Sequence, residues 1–159
     1  MVDPMEAIKS LQQAVDARII RWQECELFPE LRVTVDEPNG QPRFTYALIE
    51  NRRVIAVAIL ALADPVEGVP CFQIGYAVIE SMRGRGIATN TLKQAIEEMQ
   101  NGLSRTPAKE FYIEAVAPAE NLASNRIASK VISDKPHSCT DYFTREASFQ
   151  YLRKVMCDR

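Results

Sequence analysis

Residues that bind metals or form disulfides are scarce in this sequence. It contains one histidine, His137, and four cysteines that are widely separated and form no C-x-x-C pair: Cys25, Cys71, Cys139 and Cys157. Zinc sites and disulfide frameworks both need closely spaced ligands or partners. We therefore expect no metal site and reduced thiols, which favour a cytoplasmic protein.

Excess charge and long apolar runs are also lacking. The 159 residues carry a net charge of -2, and 47% of them are hydrophobic and 25% charged, which is ordinary for a globular domain. This balance provides no broad positive field for nucleic acid. No stretch approaches the roughly 18 apolar residues of a membrane span, and residues 1–9 lack the pattern of a signal peptide. We therefore expect one domain over residues 1–159, with neither nucleic acid nor membrane as partner.

The most informative segment runs from Phe72 to Met99. Residues 72–79 predict a strand, and a basic turn with two glycines, residues 83–89 (Arg-Gly-Arg-Gly-Ile-Ala-Thr), leads into a predicted helix. A helix N-terminus offers free N–H groups and the positive end of a dipole. Gly84 and Gly86 allow the main chain to approach phosphate oxygens. The segment therefore predicts a site for a polyanion.

The remaining pattern predicts a mixed sheet flanked by helices. Asn39-Gly40 predicts a tight turn, Asn121 a helix cap and residues 64–70 a loop. Residues 145–147 either belong to the last hairpin or lengthen a helix. Strands are predicted near residues 44–50, 54–63, 72–79, 111–116, 139–144 and 149–155, and helices near 4–26, 88–102 and 122–131.

Two separated segments resemble one protein family. Residues 83–88 are similar to the R/Q-x-x-G-x-G/A signature of the GNAT superfamily of acetyl-CoA-dependent N-acetyltransferases. Residues 114–130 resemble the E-A-x-V-x-P-E-N-x-A-S-x-R-x-x-x-K segment of the branch that contains ribosomal-protein N-terminal acetyltransferases. The resemblance implies an α/β fold with a mixed, mostly antiparallel sheet that is splayed into a V-shaped cleft for acetyl-CoA.

The resemblance also implies which residues bind acetyl-CoA, without any metal. Asn121 and Ser124 would hydrogen-bond the cofactor near its thiol. The pantetheine arm would pair with main-chain groups of the strand at Ala77, Val78 and Ile79. The pyrophosphate would be held by the turn, through Arg83, Gly84, Arg85, Gly86, Ile87, Ala88 and Thr89.

Amine acetylation needs a deprotonated amine, a donor to the thioester oxygen and a proton for the leaving thiolate. Glu114 is the predicted base, acting directly or through water, and the amide of Val78 or Ile79 is the predicted oxyanion donor. Ser124 is the predicted proton donor, with Tyr142 as a weaker substitute. The predicted function is direct transfer of the acetyl group in a ternary complex to a primary amine, on a small molecule or a protein N-terminus.

Two departures from the family pattern leave alternatives open. Ala128 stands where related enzymes often carry an acid tyrosine, and Lys130 is followed by Val131 and Ile132 instead of a Gly-Phe turn. The second hypothesis is therefore a noncatalytic acyl-CoA-binding or regulatory module. The third is a dinucleotide oxidoreductase, because residues 84–89 read G-x-G-x-x-T. No pattern identifies the acceptor or the oligomeric state.

Overall fold

A single sheet of eight strands runs through the computed structural model, which describes residues 3–157. Residues 1, 2, 158 and 159 of the predicted domain lie outside the described residues. The strands in chain order are β1 Gln23–Glu24, β2 Leu31–Asp36, β3 Arg43–Glu50, β4 Arg53–Val66, β5 Val69–Val78, β6 Glu110–Pro118, β7 His137–Thr140 and β8 Ala147–Met156. The helices of the described part are α1 Pro4–Asp16, α2 Ile87–Leu103 and α3 Leu122–Val131.

The strand order across the sheet is β1-β2-β3-β4-β5-β6-β8-β7. Neighbouring strands are antiparallel throughout, except β5 and β6, which run parallel. The predicted class, a mixed and mostly antiparallel sheet flanked by helices, is thus confirmed. A dinucleotide-binding fold needs a mostly parallel sheet, so the oxidoreductase hypothesis does not fit this topology.

The helices cover the two faces of the sheet unequally. Helices α2 and α3 pack on one face, over a core that includes the fully buried Phe111, Ile113 and Leu92. Helix α1 packs on the other face, where its buried Ile8 joins the β4 residue Val57. No helix of residues 3–157 is long and apolar enough to cross a membrane.

A buried carboxylate joins α2 to the chain segment before β2. Glu98 is 7% exposed. Its Oε2 accepts hydrogen bonds from the main-chain N–H groups of Leu27, at 2.9 Å, and Phe28, at 2.7 Å. Charge-assisted bonds of this kind compensate the loss of hydration on burial.

The N-terminal part of the chain differs from the sequence prediction. Helix α1 ends at Asp16 instead of Glu26, and Arg18 has a left-handed φ of 57°. The apolar spacing continues beyond the helix to Ile19, but that side chain is 76% exposed. Strands β1 and β2 were not predicted, although Leu31 and Val33 alternate with polar residues as strands require.

The predicted loop at residues 64–70 is wrong, because β4 and β5 form one long hairpin. Its two-residue turn is Glu67-Gly68, with φ of 51° and 78°, as in the type I′ turns that connect antiparallel strands. Regular pairing is interrupted between Ala63 and Val66. Pro65 lies in that interruption, where a strand tolerates a residue without an N–H group.

The predicted hairpins at residues 44–63 and 139–155 are confirmed, with shifted ends in the second. Strand β7 ends at Thr140, and residues 141–146 form the turn into β8. Asp141 organises this turn, since its Oδ1 accepts hydrogen bonds from the N–H groups of Phe143 and Thr144 at 2.8 and 3.0 Å. The alternative in which residues 145–147 lengthen a helix is therefore wrong.

Candidate active site

Strands β5 and β6 pair over a short length and then separate. Their register joins Cys71 to Tyr112 and Gln73 to Glu114, and the pairing ends there. Beyond this point a cleft of about 790 Å³ opens, lined by Ile74–Val78 of β5 and by Ala115 and Val116 of β6. The V-shaped opening expected from the resemblance is therefore present.

Three helices complete the walls of the cleft. The turn before α2 and its first residues lie at one part of the wall, and Asn121 and Ser124 at the start of α3 lie at another, while Met5 of α1 reaches the rim. Of the predicted cofactor-binding residues, Ile79 and Arg85 are the two that do not line the cleft. Those that do are Ala77, Val78, Arg83, Gly84, Gly86, Ile87, Ala88, Thr89, Asn121 and Ser124.

The N-terminus of α2 faces the cleft without an internal partner. Its cap, Gly86, has no side chain to accept a hydrogen bond, and the first helical bond runs from Asn90 N to Gly86 O at 3.0 Å. The N–H groups of Ile87, Ala88 and Thr89 thus have no acceptor among residues 3–157. Helices α1 and α3, in contrast, are capped by Asp3 and Asn121. The predicted cap at Asn121 is confirmed, and α2 presents the arrangement that binds anions.

Glycine is needed in this turn because of its backbone conformation. Gly84 and Gly86 have φ of 78° and 73°, where side chains cause strain. A Cβ added at either residue would have no atom within 4 Å. The space beside both glycines is thus open to a ligand.

The register of β4 and β5 decides which main-chain groups face the cleft. Ile79 N donates to Ile55 O at 3.0 Å. Since main-chain groups alternate in direction along an antiparallel ladder, Ala77 also faces β4, whereas Tyr76 and Val78 face the cleft. The prediction that the amide of Ile79 meets the cofactor or the thioester oxygen is therefore wrong. Tyr76 was not predicted.

Basic side chains surround the cleft. Arg126 and Lys130 line it from α3, and Arg83 lines it from the turn before α2. None of the three forms an ion pair within the described part of the chain. The guanidinium of Arg83 instead lies 3.4 Å from Val78 O and 3.7 Å from Met5 Sδ. The i,i+4 spacing of Arg126 and Lys130 is visible in the sequence and places them on one side of the helix. Only the fold shows that this side faces the cleft.

Two hydroxyl groups meet in the cleft. The phenol of Tyr76 donates to Ser124 O at 2.7 Å and lies 3.0 Å from Ser124 Oγ. Burial raises the pKa of Tyr76, and the hydrogen bond with Ser124 opposes that shift in part. The phenol therefore remains protonated at neutral pH.

Glu114 lies on the other face of β6. Its neighbours Ile113 and Ala115 are buried under α2 and α3, so Glu114 points the opposite way. Gln150 Nε2 donates to Glu114 Oε2 at 2.6 Å. Glu114 does not line the cleft, although it occupies the last paired position before β5 and β6 separate.

Comparison with known proteins agrees with this geometry. A model of the acetyltransferase (GNAT) domain family matches residues 9–131. The chain belongs to this family. No curated protein sequence matches the chain.

Solved structures of other GNAT proteins share the fold. RimL, a ribosomal L7/L12 alpha-N-protein acetyltransferase in complex with coenzyme A, is 20% identical over 73% of this chain and 64% of its own, with a TM-score of 0.53. The ribosomal-protein-S5-alanine acetyltransferase from Vibrio fischeri is 14% identical over 76% of this chain and 63% of its own, with a TM-score of 0.51. This GNAT chain thus spans less than two thirds of both. A GNAT acetyltransferase from Streptococcus pneumoniae is 12% identical over 97% of this chain and 96% of its own, with a TM-score of 0.54.

The GNAT chain brings together only some of the residues predicted for catalysis. Tyr142 is 79% exposed in the β7–β8 turn, where its ring lies 5.2 Å from that of Phe143. It does not line the cleft, so it does not join Ser124. Ala128 is fully buried and supplies no acidic group at its position. Among residues 3–157, no group of three or more metal-binding side chains is placed to hold a metal ion.

Proposed function

We propose that this GNAT chain transfers the acetyl group of acetyl-CoA to a primary amine by direct attack in a ternary complex. One observation carries the proposal: β5 and β6 separate beside a helix N-terminus whose first amides are unpartnered. Acetyl-CoA combines a diphosphate with a slender arm that contains amides. The cleft offers a feature for each part: an anion site at the start of α2 for the diphosphate, and an open edge of β5 for the arm.

The cofactor is held mainly by main-chain groups. The diphosphate lies against the amides of residues 87–89, beside Gly84 and Gly86, and Arg126 and Lys130 supply positive charge. The pantetheine arm pairs with the open edge of β5 at Tyr76 and Val78. In the structure, Val78 O accepts a hydrogen bond from Arg83. Arg83 therefore releases this carbonyl when the pantetheine arm binds.

The reacting groups lie where the two strands separate. The amide of Val78 is the donor to the thioester oxygen, because it faces the cleft. Glu114 receives the proton of the amine, which approaches from the face opposite α2 and α3. Ser124 meets the leaving sulfur. Both Glu114 and Ser124 are partly exposed, as access by substrate requires.

N-terminal peptides are the first acceptors to test. RimL is a ribosomal L7/L12 alpha-N-protein acetyltransferase, and the Vibrio fischeri protein is a ribosomal-protein-S5-alanine acetyltransferase. Small-molecule amines form the second group. The cytoplasmic location and the single domain over residues 1–159 remain predictions.

Binding and turnover test the proposal separately. Isothermal titration is expected to show that acetyl-CoA binds the wild type and that Gly86→Asp removes binding, because an aspartate at the α2 N-terminus repels the diphosphate. Gly68→Asp is the matched control, since Gly68 has a similar positive φ, 78° against 73° for Gly86, but lies at the remote β4–β5 turn. Absence of binding to the wild type at millimolar acetyl-CoA, or equal binding by Gly86→Asp, would overturn the proposal.

The second candidate function is a noncatalytic acyl-CoA-binding module. It is favoured by the exposure of Tyr142 and by the buried Ala128, since the leaving-group step then has neither Tyr142 nor the tyrosine that related enzymes often carry at the position of Ala128. A thiol-release assay with N-terminal peptides, polyamines, aminoglycosides and amino acids separates the two functions. Acetyl-CoA binding without turnover of any acceptor would favour the module.

A further inference from the structure

We infer that Tyr76 is a positioning residue for the leaving-group step, and that its phenol holds the hydroxyl of Ser124 against the sulfur of CoA. The inference rests on the proposed function and deepens it. Tyr76 comes from β5 and Ser124 from α3, so this contact bridges the two walls of the cleft. A tyrosine of the strand thereby supports the step for which related enzymes often use a tyrosine of the helix.

Ser124 requires such support because a serine hydroxyl rotates freely. The residue lies in the first turn of α3, where Asn121 Oδ1 accepts a hydrogen bond from its N–H group at 3.0 Å. That bond fixes the main chain of Ser124 but leaves Oγ undirected. The phenol of Tyr76, at 3.0 Å from Oγ and 2.7 Å from the carbonyl oxygen, fixes both oxygen atoms of the residue.

The hydrogen bonds between Tyr76 and Ser124 can rearrange as negative charge develops on the sulfur. The phenol has one proton and lies within hydrogen-bond distance of both Ser124 oxygen atoms, so it can donate to Ser124 O or to Ser124 Oγ. As the amine attacks, a C–N bond forms, the C–S bond breaks, and the electron pair remains on sulfur. The Ser124 hydroxyl then donates to the thiolate, while the phenol of Tyr76 donates to Ser124 Oγ and holds it in place. Tyr76 loses no proton, and the released thiolate takes its proton from water.

No other tyrosine of the described residues is placed for this role. Tyr142 is exposed and outside the cleft, and the hydroxyl of Tyr151 donates to Asn125 Oδ1 at 2.6 Å. Tyr112 lies on the opposite face of β6, with Lys154 Nζ 5.3 Å from the centre of its ring. Among the tyrosines of residues 3–157, Tyr76 is the one that lines the cleft.

The pKa of the CoA thiol, measured while CoA is bound, tests the inference without any acceptor. Ultraviolet absorbance reports the thiolate during a pH titration of CoA complexes with the wild type, Tyr76→Phe, Ser124→Ala and the double variant. A hydrogen bond to a thiolate lowers its pKa. We expect Ser124→Ala to raise the thiol pKa by about one unit and Tyr76→Phe to raise it by at least half as much. Because Tyr76 acts through Ser124, the thiol pKa of the double variant is expected to match that of Ser124→Ala.

Three controls separate positioning from a structural effect. Tyr112→Phe removes a phenol from the other face and is expected to leave the thiol pKa unchanged. Ser124→Thr keeps a hydroxyl and is expected to retain the wild-type value. The positive charges of Arg126 and Lys130 also favour the thiolate. Both residues are present in every complex, so their effect cancels when the thiol pKa values are compared. Phe keeps the ring of Tyr76 in the core, and the dissociation constant of CoA is expected to change less than threefold.

The outcomes are distinguishable. The inference would be overturned if the thiol pKa were unchanged in Tyr76→Phe, or if the pKa shifts of the two single variants added in the double variant. Either result would leave the proposed function intact. Failure of the wild type to bind CoA would overturn both. Once an acceptor is known, kcat for acetyl transfer is expected to fall about tenfold in Tyr76→Phe with little change in KM for acetyl-CoA.

Discussion

Replacement of Glu98 by alanine provides the sharpest test of how this fold is held together. The carboxylate is 7% exposed and accepts hydrogen bonds from the N–H groups of Leu27 and Phe28 at 2.9 and 2.7 Å. Its removal takes the acceptor from two part-buried donors, and a fully buried donor left without an acceptor costs about 1–3 kcal/mol. We therefore expect Glu98→Ala to lower the free energy of unfolding by about 2 kcal/mol or more, a large part of the roughly 5–15 kcal/mol typical of a domain.

Urea unfolding measures this loss, and the chain offers a matched control. Glu97 precedes Glu98 on α2 but is exposed, so Glu97→Ala has the same helix propensity term without the buried hydrogen bonds. The control is expected to stay within about 0.5 kcal/mol of the wild type. The Glu98→Ala midpoint should fall with an unchanged slope. Equal midpoints for the two variants would show that the segment before β2 is not held by this carboxylate.

Two further predictions concern the cleft. Glu114→Gln is expected to lower kcat by roughly 10²-fold because the proposed general base is lost. The control Glu110→Gln, on the same strand, loses only a contact with Lys154 at 3.8 Å and should keep its activity. Equal activity of Glu114→Gln and wild type in a thiol-release assay would assign the base elsewhere. Arg126→Gln and Lys130→Gln are each expected to raise the dissociation constant of CoA about tenfold at low salt, and by less at high salt because screening weakens charge interactions. The exposed Lys135 gives the control variant Lys135→Gln, and a salt-independent loss, or one shared by the control, would contradict the charge contact.

The glycine-containing turn before α2 was predictable because its parts lie close together in the sequence. A strand, two glycines and a helix start follow one another within residues 72–99, and local rules connect this order to an uncapped helix N-terminus. The cap at Asn121 is equally local, since its partner Ser124 is three residues away. The resemblance to the GNAT family rested on these same segments.

The length of α1 and the strands before residue 40 were harder to predict. The apolar spacing continues past the end of α1, so periodicity alone placed the helix end at Glu26. In the fold, Gln12 of α1 accepts a hydrogen bond from Val54 N of β4 at 2.7 Å and donates one to Arg52 O, in the turn before β4, at 2.9 Å. Such contacts across about 40 residues are not visible in a local pattern.

Residue types at short spacing were enough to predict the family, the mixed sheet and the place of the proposed anion site. Which groups face the cleft depends on contacts between distant parts of the chain. In the antiparallel pairing of β4 and β5, the main chain of Val78 faces the cleft and that of Ile79 faces β4. The packing of α3 on α2, β6 and β8 places Ser124 beside Tyr76, 48 residues earlier. A shift of one residue in a strand register reverses every side chain, so these choices depend on long-range pairing that no short segment encodes.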